Sequence, residues 1–186
     1  MPFQFDLVRI GSKGGQMKKI LILAFFCLST VNALASNKDI EVLGVFDDWS
    51  AFSYKDEAGQ VCYMATEPSK SQGKYNRRDD VFLIVTHRPA EKAFDVVNVT
   101  AGYTYKKSGK PYIVVDNNKP ITLAVFNDSA WAKDAATDAK LVANMKKGTR
   151  AVLKGTSVRG TTTTDTFSLK GFGKAYQAIN KACGRE

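Results

Sequence analysis

Residues Gly44–Tyr63 read GVFDDWSAFSYKDEAGQVCY, and the pattern in this stretch sets the reading of the whole chain. From Trp49 to Tyr54 the side chains alternate, with Trp49, Ala51 and Ser53 on one side and Ser50, Phe52 and Tyr54 on the other, as a strand requires. Lys55-Asp56-Glu57-Ala58-Gly59 has the length of a hairpin turn, with its glycine placed for a positive φ, and Val61 to Ala65 returns as the second strand. That returning strand carries Cys62. Far along the chain, Phe167–Cys183 reads FSLKGFGKAYQAINKAC, a strand running into a helix. Phe172, Ala175, Tyr176, Ile179 and Cys183 recur at helical spacing and form one stripe, so Cys183 is expected to face a sheet from the buried side of that helix.

The cysteines bear on compartment as well as fold. Met17-Lys18-Lys19, the apolar run Ile20 to Leu28 and Ala33-Leu34-Ala35 stand in the order of a secretory signal peptide, with cleavage expected after Ala35. The apolar run is shorter than the roughly 20 residues that span a bilayer. Ala24-Phe25-Phe26 lacks the small residues of a lipoprotein signal, so Cys27 is expected to leave with the peptide. Met17 is the better start, and residues 1–16 read as an upstream extension of the gene rather than as protein. The expected organisation is therefore 1–16 upstream extension, 17–35 signal peptide and 36–186 a single β-rich domain. Cys62 and Cys183 remain, and an even pair in an exported protein reads as a disulfide. Two sulfurs in a chain with one histidine do not make a four-ligand zinc centre, and no metal or cofactor site is expected.

Between the two ends the chain reads as mainly β. Ile40 to Phe46 is a first strand, and Val81 to Val85 is a continuous apolar run suited to a strand covered on both faces. Asp95 to Tyr105 is another strand; Tyr112–Val115 and Ile121–Phe126 form a second hairpin around Asp116 to Pro120. Trp131 introduces a helix capped by Asp134 and closed by Gly148, with Ala135, Ala139, Val142 and Met145 as its packing face. Thr149–Thr156 and Thr161–Leu169 are paired strands joined by Ser157-Val158-Arg159-Gly160. The threonine run is taken as sheet surface, since no base stands near it to activate a hydroxyl. His87, at a strand end without a second histidine or a nearby cysteine, is read as structural. The fold expected is an antiparallel β-sandwich or partly closed barrel with two short helices, one of them C-terminal.

Charge narrows the partners. The full chain carries a formal +9; without residues 1–35, which hold Arg9, Lys13, Lys18, Lys19 and Asp6, about +6 remains. Glu67 to Asp80 (EPSKSQGKYNRRDD) has no apolar period and reads as a surface loop whose Lys70, Lys74, Arg77 and Arg78 are expected to be solvated, with contact to an anionic partner as the functional alternative. Asn98-Val99-Thr100 and Asn127-Asp128-Ser129 match the glycosylation triplet by chance.

Gly44-x-Phe46-x-Asp48-Trp49, Cys62-Tyr63, Arg88-Pro89-Ala90, Ala130-Trp131, Met145-Lys146-Lys147-Gly148, Lys154-Gly155-Thr156-Ser157-x-Arg159-Gly160 and Thr163-Thr164-Asp165-Thr166-Phe167-Ser168-Leu169-x-Gly171-Phe172 occur in that order. Through these motifs the sequence resembles the invasion-associated locus B family across nearly the whole of residues 36–186. The resemblance implies an exported alphaproteobacterial β-rich protein of the periplasm, outer membrane or exterior, linked to host-cell invasion, with no catalytic site to carry over. Arg88 and Arg159 lie in the matching stretches and are candidate ligand or partner contacts with Lys74, Arg77 and Arg78. The competing reading makes Arg88 and Arg159 structural, paired with Asp47, Asp48 or Asp165.

The expected function is thus a non-enzymatic envelope protein that binds an envelope or host protein, or an anionic lipid or lipopolysaccharide, with a homodimer among its assembly states. The alternative is a small exported hydrolase with an unrecognised carboxylate site. The chain has no G-x-S-x-G or H-E-x-x-H motif, and Asp47-Asp48 and Asp79-Asp80, as adjacent strand residues, would point to opposite faces. Nucleic acid is not an expected partner of an exported chain with modest positive charge.

Overall fold

The computed structural model describes residues 39–185, which form two antiparallel sheets and two α-helices. The upstream extension, the signal peptide with its cleavage site, and Cys27 lie outside the described residues. The larger sheet has seven strands in the order β1 (Glu41–Phe46), β2 (Trp49–Lys55), β3 (Gln60–Thr66), β5 (Phe82–Arg88), β6 (Ala93–Thr100), β10 (Ser129–Trp131) and β9 (Ala124–Phe126). The smaller has five: β4 (Lys70–Gly73), β12 (Thr162–Ser168), β11 (Arg150–Thr156), β7 (Tyr112–Val115) and β8 (Ile121–Thr122). Helix α1 spans Ala135–Lys147 and α2 spans Phe172–Ala182. The β-rich expectation holds, and the sheets do not close into a barrel.

Alternation does what the sequence promised in the β2–β3 hairpin. Trp49, Ala51 and Ser53 are buried, Ser53 pairs with Cys62, and Asp56 and Gly59 exchange backbone hydrogen bonds of 3.0 and 3.2 Å across the turn. The Asp56 carboxylate also accepts from the Ala58 and Gly59 N–H groups, which satisfies the donors of a tight turn. One apolar cluster runs from Trp49, Met64, Leu83 and Val97 through Ile113, Leu153 and Phe167 to Phe172 and Ile179, so it takes side chains from both sheets and from α2.

The C-terminal helix lies on the large sheet as its stripe predicts, with Phe172, Ala175, Tyr176 and Ile179 buried. Trp49 anchors it: its indole N–H donates to Ser168 O at 3.0 Å, and its ring meets Phe172 edge-on at 5.0 Å between centroids. Gly171 makes the approach possible, because at φ +90° a β-carbon there would overlap the carbonyl oxygen of Phe46. Cys62 and Cys183 are joined, with the sulfurs 2.06 Å apart across a separation of 121 residues. Sequence reasoning about two cysteines is borne out.

Several boundaries differ from expectation. The polar stretch 67–80 is not all loop, because Lys70–Gly73 pairs with Thr163–Thr166 as an edge strand. Its four residues are all exposed, so hydrophobic period could not reveal it. The strand expected over 95–105 ends at Thr100; beyond it the chain crosses over, and Tyr105 pairs with Ser157. The strand expected over 121–126 is cut at buried Leu123, leaving β8 in the small sheet and β9 in the large one. Trp131 closes β10 instead of opening the helix, which starts at Ala135 after the Asp134 cap. The packing face of α1 is Asp138, Leu141, Val142 and Met145; Ala135 and Ala139 are exposed. A carboxylate stands where the apolar pattern was sought.

Candidate functional site

At one end of the two sheets three connections meet: residues 74–80 between β4 and β5, 101–104 after β6, and 157–161 between β11 and β12. They enclose an open groove of about 590 Å³. Gly102 allows the first two to lie back to back, since it has φ +65° and a β-carbon there would overlap the Asp79 carbonyl oxygen. Asp79 N–H donates to Gly102 O at 3.1 Å, and Val158 N–H donates to Thr104 O at 2.9 Å, tying in the third connection.

Arg78 forms the fixed support of the groove. Its two terminal nitrogens donate to the two carboxylate oxygens of Asp165, each at 2.7 Å, and its Nε donates to Ala101 O at 2.6 Å. The guanidinium carbon lies 5.5 Å from the centre of the Tyr75 ring and 5.0 Å from that of Tyr103. The Tyr103 hydroxyl is in turn 2.7 Å from Thr163 Oγ1. Asp165 is fully buried. Burial acts to lower the Arg78 pKa, and the hydrogen bonds and charge of Asp165 outweigh it, so the pKa stands above its ordinary value. The expectation of a solvated Arg78 is corrected: a charge this enclosed persists because its fork is matched oxygen for oxygen.

Lys74, Arg77 and Arg159 are the remaining cations of the groove. All three are exposed, and among the described residues none forms an ion pair. One free carboxylate, Asp79, lines the same space. Residues far apart in sequence thus come together, and of the five candidate contacts Arg88 alone lies elsewhere. Lys70 sits on the exposed edge strand β4. Sequence reasoning missed Tyr75 and Tyr103 as parts of the site, and it offered Asp165 to Arg88 or Arg159 where the structure gives it to Arg78. Asp165 had a legible signal, because alternation from Phe167 places it, with Thr163, on the inward side of β12.

Arg88 is at the opposite end of the large sheet, held by Asp56 at 2.7 Å and Glu91 at 3.1 Å. The partners proposed for structural arginines are therefore redistributed. Arg78 takes Asp165, Arg88 takes Asp56 and Glu91, and Asp47 pairs with Lys170 at 3.1 Å. Beside Arg88 lies a buried polar group. His87 Nδ1 accepts from the Asp95 N–H at 3.1 Å, which leaves the ring proton on Nε2 to be donated to Asn180 Oδ1 at 2.8 Å. Burial lowers the His87 pKa and keeps the ring neutral, as its structural reading requires. Asp95 accepts from the Tyr176 hydroxyl at 2.7 Å and from Arg185 at 2.5 Å. Asp138, accepting from Val97 N–H at 2.8 Å, is pushed up to about 6 by burial, which that hydrogen bond only partly offsets.

A second hollow of about 450 Å³ contains Asp48 and Glu67 with Phe52 and Phe82. Both carboxylates are exposed. Asp47-Asp48 and Asp79-Asp80 lie in connections, not on strands as expected; Asp47, at φ +52°, is in the turn between β1 and β2. Among the described residues no group of three or more metal-ligating side chains converges, and no helix is long and apolar enough to cross a membrane.

No curated protein and no solved structure matches the chain. The profile of the invasion associated locus B (IalB) protein family matches residues 49–180, from Trp49 of the first hairpin to Asn180 beside the disulfide, taking in every residue of the groove, and the chain belongs to that family.

Proposed function

We propose that the protein is an exported, non-catalytic envelope protein that binds an anionic partner in the groove between residues 74–80, 101–104 and 157–161. The observation that carries this reading is the division of labour among its cations. Arg78 is neutralised by Asp165, while Lys74, Arg77 and Arg159 face the groove with no carboxylate engaged. Exposed like charges brought together raise the electrostatic energy of the fold unless an anion joins them, and that repulsion becomes binding energy when one does. The disulfide and the family assignment support export to an oxidising compartment. The family's name, invasion associated locus B, is what links this reading to invasion.

The test compares charge reversal in the groove with the same change elsewhere. Binding to zwitterionic vesicles carrying lipopolysaccharide is measured across a salt series for the combined Lys74→Glu, Arg77→Glu and Arg159→Glu variant and for a control carrying Lys119→Glu, Lys140→Glu and Lys181→Glu. The expected result is salt-sensitive binding that falls by at least about tenfold in the groove variant and far less in the control. Equal losses in the two variants, or no loss in the groove variant, overturn the assignment.

A further inference from the structure

The groove offers more than charge. Tyr75 stands between Lys74 and Arg77 with 38% of its surface exposed, an unusual position for a large ring on a polar loop. Its placement is fixed from two sides. One is the Arg78 guanidinium, 5.5 Å from the ring centre; the other is the backbone at Gly73, where an added β-carbon would come within 3.0 Å of the ring. Arg78 cannot swing out to a ligand, because Ala101 and Asp165 already engage its Nε and both terminal nitrogens. Tyr103 is the poorer platform, because it is half-buried against the core, with its hydroxyl 2.7 Å from Thr163 Oγ1.

We propose that the groove takes a phosphate-bearing saccharide, with the phosphate on Arg77, Arg159 and Lys74 and a sugar ring against Tyr75. This rests on the anion-binding reading above and adds the identity of the group attached to the anion. Guanidinium forks match the paired oxygens of a phosphate, and a lysine adds a mobile point charge. A pyranose presents an apolar C–H face that an aromatic ring covers, and a rim of hydroxyls that needs donors and acceptors. Asn76 and Thr104, both exposed in the lining, make no side-chain hydrogen bond among the described residues and supply that rim. A single-stranded nucleic acid, the other anion able to stack, calls for successive exposed rings along a backbone track. This groove has one.

Titration calorimetry of the oxidised protein tests the proposal with inorganic phosphate, glucose, glucose 6-phosphate and a single-stranded oligonucleotide. Glucose 6-phosphate is expected to bind about fivefold tighter than inorganic phosphate, and glucose alone far more weakly than either. Tyr75→Ala is expected to erase that margin while leaving phosphate binding unchanged, and Tyr75→Phe to keep it. Vesicles with native and with dephosphorylated lipopolysaccharide locate the ligand. Loss of vesicle binding on dephosphorylation places the phosphosugar on a lipid, whereas glucose 6-phosphate binding without vesicle binding places it in solution. Equal affinity for phosphate and glucose 6-phosphate, untouched by Tyr75→Ala, overturns the saccharide and leaves the anion reading standing. Absence of binding to every anion overturns both. An oligonucleotide that outcompetes glucose 6-phosphate overturns the saccharide in favour of nucleic acid.

Discussion

At the Arg88 end of the large sheet, arginines are matched to carboxylates: Arg88 to Asp56 and Glu91, Arg185 to Asp95, with His87 held neutral beside them. At the Arg78 end one arginine is matched more completely than any of these, and Arg77 next to it in sequence is matched to nothing among the described residues. Consecutive residues, with the same side chain, have opposite roles. Arg78 reaches inward to a carboxylate that alternation buries in β12, whereas Arg77 is left facing solvent. An ion pair that holds a fold together and a cation that waits for a partner differ in desolvation, not in chemistry.

The largest effect expected is at the paired end. The bridge between Cys62 and Cys183 closes 121 residues, and on the chain-entropy account a loop on the order of 100 residues is worth about 4.7 kcal/mol. Reduction, or Cys62→Ser with Cys183→Ser, is expected to lower Tm by about 10 °C or more in calorimetry. A shift of a degree or two would show that the buried polar group and Trp49 hold α2 without the crosslink.

Next comes Arg78. Arg78→Ala leaves Asp165, fully buried, without its counter-charge, and a loss of about 3–5 kcal/mol is expected in denaturant unfolding. The double variant Arg78→Met with Asp165→Leu should recover much of it. If Arg78→Ala costs no more than Arg88→Ala, the contrast between an enclosed and a rim arginine fails.

Smaller and pH-dependent is Asp138→Asn. The carboxyl, raised from 3.8 to about 6 by burial, favours the fold fully below pH 3.8, and that contribution is lost as pH rises through about 6. Asparagine keeps an acceptor for Val97 N–H, so the variant is expected to gain about 1–2 kcal/mol above pH 6 and nothing near pH 4. His87 works in the other direction. Its lowered pKa supplies stability that is present above pH 6.5 and lost as pH falls toward the folded-state value. A gain from Asp138→Asn that is flat across this range would contradict the burial argument.

The smallest effect is expected in the groove itself. Arg77→Ala and Arg159→Ala should change stability by no more than about 0.5 kcal/mol while weakening anion binding. A large loss of stability would show that these cations have structural partners after all.

Much of the architecture was legible because it is written in local periods. The β2–β3 hairpin, the stripe of α2 and the Asp134 cap follow from alternation, 3.6-residue recurrence and turn chemistry, all of which act within a few residues. The disulfide was legible for a different reason, since two cysteines in a chain read as exported leave one pairing. What misled was any residue whose role depends on a distant neighbour. Leu123 sends one apolar run into two sheets, Asp138 takes a core position because Val97 N–H is there to bind it, and β4 exists because β12 offers it an edge.

Sequence alone therefore determined that this chain is β-rich, that its β2–β3 hairpin and its C-terminal helix are crosslinked through Cys62 and Cys183, and that basic residues cluster at Lys70, Lys74, Arg77 and Arg78. Tertiary structure decided which of those cations are used up and which remain free. The physical reason is that charge is a property of a residue, but its desolvation and its partner are properties of the place to which the chain carries it. Asp165 stands 87 residues from Arg78 in sequence and 2.7 Å from it in space, and no local pattern encodes that meeting.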